Sequence, residues 1–167
     1  EQNSERRTDA FLINRIIPIM KFKALQISET KEGLIERKII ERELEELPQG
    51  EILIKVNYSS LNYKDALSAT GNKGITKKYP HTPGIDAAGV VEISRTEAFR
   101  VGEEVIITGY DLGMNTDGGY GEYIRVPADW VITKPSAYSL KEAMIIGTAG
   151  FTAASALYKM ELMGMNP

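Results

Sequence analysis

The sequence predicts a mainly β fold with flanking helices, in which short strands build a barrel or sandwich and a helical segment follows. Three observations carry this reading. Short apolar stretches recur between turn signals from Phe22 to Val126, the pattern of an all-β sandwich or barrel. One of them, Glu51 to Tyr58, alternates with the two-residue period of a half-buried strand. From Ser139 the chain changes character, opening with the helix-start signature Ser-Leu-Lys-Glu.

Residues 1–19 carry Arg6, Arg7 and Arg15 beside Glu1, Glu5 and Asp9, and end in the apolar Ile16-Ile17-Pro18-Ile19. A secretory leader needs a longer apolar region and a small-residue cleavage site, and a mitochondrial presequence is poor in acids. This segment is therefore expected to be an extension, non-native or disordered, ahead of a natural start at Met20. Pro48-Gln49-Gly50 is turn chemistry. In the strand after it, Ile52, Ile54, Val56 and Tyr58 share one face and Lys55 and Asn57 the other, while Leu53 breaks the polar face and implies partial cover there.

Asn62 is a favoured capping residue, and a helix from Tyr63 to Ala69 ended by Gly71 follows from it. Ile85 to Ile93 is almost continuously apolar behind Pro83-Gly84, as a strand buried on both faces would be, with Ala87, Ala88 and Gly89 leaving room for close packing. Val105 to Thr108 and Tyr120 to Val126 read as further strands. The capping box at Ser139 and Glu142 starts a helix through Ala143 to Ile146, interrupted around Gly147. A second helix spans Thr152 to Met160, with Gly164 as its terminator.

Composition excludes several classes. The 167 residues, 43% of them hydrophobic, suffice for one globular domain with a core. A net charge of -3 gives no basic footprint for nucleic acid. The chain has no Cys and one His, which removes disulfides, thiol catalysis and thiolate metal sites and agrees with a cytoplasmic location. No apolar run approaches the roughly 20 residues of a membrane span.

Four segments occur in order: SSLNYKDALSATG, YPHTPGIDAAGVVEIS, GGYGEYIRVPADWVITKP and AMIIGTAGFTAASAL. Together they resemble the catalytic domain of the medium-chain dehydrogenase/reductase superfamily, and more closely its acrylyl-CoA reductase and quinone-oxidoreductase-like group, from about Met20 onward. In zinc alcohol dehydrogenases of that superfamily the first loop reads Cys-x-x-Asp and the second Gly-His-Glu. Here Asn62 stands in the Cys position and Ile85 in the His position, while Asp65 and Asp86 remain. A tetrahedral zinc site needs thiolate, imidazole or carboxylate ligands in sufficient number, so the resemblance points to the zinc-free branch.

The resemblance implies a GroES-like partial β-barrel over residues 20–138, with linking helices over 139–167 that lead toward a nucleotide-binding domain. No G-x-G-x-x-G follows a strand in this sequence, so the Rossmann domain that cradles the cofactor pyrophosphate in the family is expected to be absent from it. The implied activity is NADPH-dependent reduction of an activated carbon–carbon double bond, in acrylyl-CoA or a similar enoyl thioester, with a quinone as the alternative substrate. A homo-oligomer is expected. Two readings of other classes stand beside it: a co-chaperonin ring subunit, which shares the fold, and a free-standing binding domain.

For the site, Asn62 is expected to face the cleft and donate to a substrate carbonyl, or to serve only as a helix cap. Tyr63 is assigned to the cofactor or to proton donation, against simple packing on the barrel wall. Lys64 is expected to be solvated. Asp65 is the remaining member of the catalytic set Asn62, Tyr63 and Asp65; for it and Asp86 an orienting role, holding loop amides or neighbouring side chains, is favoured over acid–base work. Thr148 and Thr152 are expected to face the cofactor, or to bond their own backbone. His81, ahead of Pro83, is expected at the surface rather than as a general base. Tyr120 and Trp130 are expected to pack the barrel.

Overall fold

The computed structural model describes residues 20–165, so the extension over 1–19 and the last two positions of the linking segment lie outside it. In chain order the elements are β1 (Lys21–Glu29), β2 (Ile35–Glu43), β3 (Ile52–Tyr58), α1 (Tyr63–Ala69), β4 (Asp86–Ser94), β5 (Glu104–Thr108), β6 (Tyr123–Val126), β7 (Ile132–Thr133) and α2 (Leu140–Leu162). Short 3-10 turns sit at Leu44–Glu46 and Ala128–Trp130.

β1 and β2 form an antiparallel hairpin, and the other five strands form an antiparallel sheet in the order β6-β3-β4-β5-β7. The sheet curls around its main core, where Ile52, Ile54, Val91, Val105, Ile107 and Ile124 are all but fully buried. Isolated bridges from Ala24 to Gly121 and from Ile27 to His81 tie the hairpin to the loops of the larger sheet. This is the mainly β partial barrel with two helices that the sequence implied.

The alternation in β3 explains its two-sided burial. Ile52 and Ile54 fill the main core, whereas Leu53 is fully enclosed on the opposite face by Phe22, Ala24, Leu44 and Leu47. The partial cover expected over Leu53 is thus complete, because the hairpin lies across it. β4 is buried on both faces over its first residues, where Ala87 joins the main core and Ala88 faces Leu140 and Met144 of α2, but the burial expected as far as Ile93 is corrected, since Ile93 is 48% exposed near the strand's end. Gly89 permits the approach, since a Cβ there would come within 2.1 Å of the Lys55 carbonyl oxygen.

The strand expected from Tyr120 shortens to Tyr123–Val126. Its first residues are used elsewhere, because the Tyr120 amide donates to the Pro83 carbonyl and Gly121 bridges to Ala24. α1 begins and ends where the sequence placed it, and Gly71 takes the positive φ of a helix terminator. α2 is a single helical run with one break, at Gly147, whose φ of 48° and ψ of -160° are not helical.

Candidate functional site

The break in α2 organises the site. In an unbroken helix the Thr148 amide would donate to the Met144 carbonyl, four residues back. Instead it donates to Asp86 Oδ2 at 2.9 Å, and the Met144 carbonyl accepts from the Ser60 hydroxyl at 2.6 Å. Side chains from β4 and from the loop before α1 are thus inserted into the helical ladder, one of the physical causes of a helix kink. Gly147 makes room for them: a Cβ there would meet Ser60 Oγ at 2.5 Å and Asp86 Oδ2 at 2.8 Å.

Asp86 is fully buried and its carboxylate accepts three hydrogen bonds. Oδ2 accepts from the Asn62 side-chain amide at 2.9 Å as well as from the Thr148 amide, and Oδ1 accepts from the Thr148 hydroxyl at 2.5 Å. The start of the second helical segment supplies part of the positive potential that a buried anion needs. Asp65 is 1% exposed. Its Oδ2 accepts from the Asn62 backbone amide at 2.8 Å, completing the acidic half of a capping box, and its Oδ1 accepts from the Ile85 amide at 2.9 Å.

Tyr120 completes the cluster. Its hydroxyl lies 3.1 Å from the Ser60 carbonyl and 3.2 Å from Asp65 Oδ2, both acceptors. Burial, and then the charge of Asp65 and the bond to it, push the phenol far above its ordinary range, so it remains a protonated donor.

These contacts sort the expected site residues. Asn62, Asp65, Asp86 and Thr148 converge, joined by Ser60 and Tyr120, which the sequence reading assigned to no site. The signal for Ser60 was its place in Ser59-Ser60 just ahead of Asn62; nothing local marked the Tyr120 hydroxyl. Asp65 and Asp86 hold loop amides and side chains, the arrangement favoured for them. Tyr63 is 79% exposed at the first turn of α1, so its ring is not packed on the barrel wall. Lys64 is exposed. Thr152 donates its hydroxyl to the Thr148 carbonyl at 2.8 Å, the backbone alternative foreseen for it.

The surface position expected for His81 is corrected. The ring is 5% exposed, and Nε2 donates to the Gly113 carbonyl at 2.8 Å. Burial holds its pKa below the ordinary value, outweighing that hydrogen bond and the nearby Asp117 and Asp111. The reason is topological, since the residue bridges β1 through Ile27 while the loop of Gly113 closes over it. Trp130 is half-buried and stacks on Tyr110 with ring centroids 5.4 Å apart.

Beside the polar cluster lies an apolar groove of about 580 Å³ between β5, β7 and α2, lined by Ile106, Tyr110, Trp130, Ile132, Tyr138, Ile146 and Phe151 among others. Among the described residues no group of three His, Cys, Asp or Glu side chains is placed to hold a metal ion. No helix among them is long and apolar enough to cross a membrane.

Residues 48–136 match the family model of the alcohol dehydrogenase GroES-like domain, and the chain belongs to that family. Within it the chain falls in the quinone-oxidoreductase and acrylyl-CoA reductase group of medium-chain dehydrogenases/reductases. It is 46% identical over 147 residues to the putative quinone oxidoreductase YhfP of Bacillus subtilis (strain 168), covering 87% of this chain and 44% of that protein. It is 40% identical over 147 residues to the acrylyl-CoA reductase AcuI of Ruegeria pomeroyi, covering 87% and 44%. The crystal structure of the yhdH oxidoreductase from Salmonella enterica in complex with NADP superposes with a TM-score of 0.82 at 41% identity, over 89% of this chain and 45% of that one. The chain therefore spans less than half the length of these relatives.

Proposed function

We propose that this chain is the catalytic and substrate-binding half of a cytoplasmic, zinc-independent, NADPH-dependent reductase acting on the activated double bond of acrylyl-CoA or a similar enoyl thioester. The observation that carries the reading is the hydrogen-bonded cluster of Asn62, Asp65, Asp86 and Thr148, whose first three members stand, by the resemblance, where the zinc relatives carry their two signature loops. With no Cys in the chain and the one His committed to Gly113, the donor set suits carboxylate and amide chemistry rather than tetrahedral zinc. Residues 20–138 form the catalytic domain, and 139–167 lead to the nucleotide-binding half.

NADPH fits this half at one edge only. Tyr63 is exposed at the first turn of α1, directly after Asn62, and its hydroxyl suits a phosphate or a ring edge. The hydroxyls of Thr148 and Thr152 are engaged internally, so contact from these residues falls to the backbone and methyl groups beside the break. When bound, the dinucleotide would supply the hydride for reduction of the double bond. The Asn62 amide, which spends one N–H on Asp86, has a second N–H that would donate to a substrate carbonyl oxygen as negative charge builds there. Tyr63 or solvent delivers the proton to the α-carbon. Asp65 and Asp86 hold Asn62 in place, through its backbone and side-chain amides respectively. The finished enzyme is a homo-oligomer that binds neither nucleic acid nor membrane.

The test is turnover by the intact enzyme carrying this half. NADPH oxidation on addition of acrylyl-CoA, undiminished by a zinc chelator, is expected; loss with chelator and recovery with zinc overturns the metal-independent reading. The 46% identity to a putative quinone oxidoreductase favours quinones as the second substrate class, and faster turnover of a quinone than of any enoyl thioester would establish it. Tyr63→Phe should weaken NADPH binding by about ten- to a hundredfold if the phenol meets a phosphate. If the phenol is the proton donor, turnover falls while binding is kept.

A further inference from the structure

We propose that Asp86 is a positioning residue that sets the Asn62 amide and the second segment of α2, from Thr148 onward, as one unit. Asn62 and Thr148 are far apart in sequence, and each donates to the same buried carboxylate. The carboxylate replaces the Met144 carbonyl as acceptor for the Thr148 amide, and Ser60 takes up the carbonyl so released. The break in α2 is therefore held open from outside the helix. The Thr148 amide and the Met144 carbonyl, which the break separates, each find a new partner outside the helix.

The consequence is coupling. A shift of the loop carrying Asn62 moves the acceptor that caps the second segment of α2, and a shift of that segment pulls on the amide at the mouth of the site. Resting on the reductase reading, this means that whatever seats against α2 adjusts the donor offered to the substrate. Of the other groups near Asp86, the Ser59 hydroxyl donates to its carbonyl and the Tyr120 phenol to the Ser60 carbonyl and Asp65, so neither holds the carboxylate.

A double-mutant cycle in the 167-residue chain tests the coupling without any assay of activity. Asn62→Ala, Thr148→Val and the double variant are compared by chemical denaturation, with Thr148→Ala in place of Val if the latter does not fold. The unfolding constant of the double variant should depart from the product of the single effects by about threefold or more, as for residues sharing one network. With Thr148→Ser, which keeps the hydroxyl, the Asn62→Ala effect should match that in the wild type. Additivity of Asn62→Ala with Thr148→Val, within about twofold, overturns the proposal. The same cycle on kcat/KM of the intact enzyme should show the same sign of departure, and additivity there overturns the link to the site. An intact protein without reductase activity would sink the functional reading alone, since the denaturation cycle still decides whether Asp86 couples the two elements.

Discussion

The barrel core and the second segment of α2 are both rich in apolar residues, but they are built in opposite ways. Ile52, Ile54, Ile107 and Ile124 are wholly enclosed by neighbouring strands. From Phe151 to Met163 the helix leaves Phe151, Leu157, Tyr158, Leu162 and Met163 each more than half exposed, between 61% and 73%. Gly147, Gly150, Phe151 and Ala154 line the groove, and Tyr158 and Leu162 continue that face by helical spacing. The barrel closes a core on itself, while Tyr110 and Ile132 at the groove stay more than half exposed. The helix is anchored at one end, by Leu140 and Met144 on Ala88 and by the Asp86 cluster, and presents the rest outward. A closed core and an exposed apolar face are thus divided between two parts of one short chain.

The contrast is most sharply tested by truncating one residue in each region. Ile107→Ala should cost about 2–5 kcal/mol, the usual cost of a cavity in a closed core, whereas Leu157→Ala should stay within about 0.5 kcal/mol. Equal losses by chemical denaturation would mean that α2 shares the barrel's core. Gly147→Ala comes next, at about 1–3 kcal/mol, because it forces a side chain into a positive φ and against Ser60 and Asp86. Hydrogen exchange should show the loss confined to α2 and the Asn62 loop. Ser139→Ala removes the acceptor of the Glu142 amide and should cost about 1 kcal/mol; a larger loss would show the helix to be steadied mainly by its cap.

The smallest effect separates the two regions by pH. His81 is held neutral by burial, so the unfolded chain takes up a proton more readily than the folded one. Stability should therefore fall as pH drops below the ordinary histidine value of 6.5 toward the depressed folded value, and level off beneath it. His81→Gln should abolish that part of the slope. Its persistence in denaturation midpoints measured across the window would place the titrating group elsewhere.

How far the sequence could be read follows the same division. Local signals placed α1 to the residue, marked the start of α2 at Ser139 and located its break at Gly147, because capping, periodicity and glycine act within a few positions. The resemblance brought Asn62, Asp65 and Asp86 together. What stayed hidden depended on distant partners. The burial of His81 arises from β1 and the loop of Gly113, and the shortened β6 from Pro83 and Ala24. That Thr148 would bond to Asp86 rather than along its own helix required knowing that a carboxylate from β4 reaches into the ladder.

The Tyr110 and Trp130 rings lie nearly parallel, 8° apart, at the wall of the apolar groove. Trp130 is the chain's one tryptophan, so all indole emission comes from this wall. Whatever settles against the groove, whether a nucleotide-binding half or a second copy, will change the solvent seen by that ring. Trp130 is thus a built-in optical probe of the groove, and a fluorescence titration tests without any label whether a partner docks there.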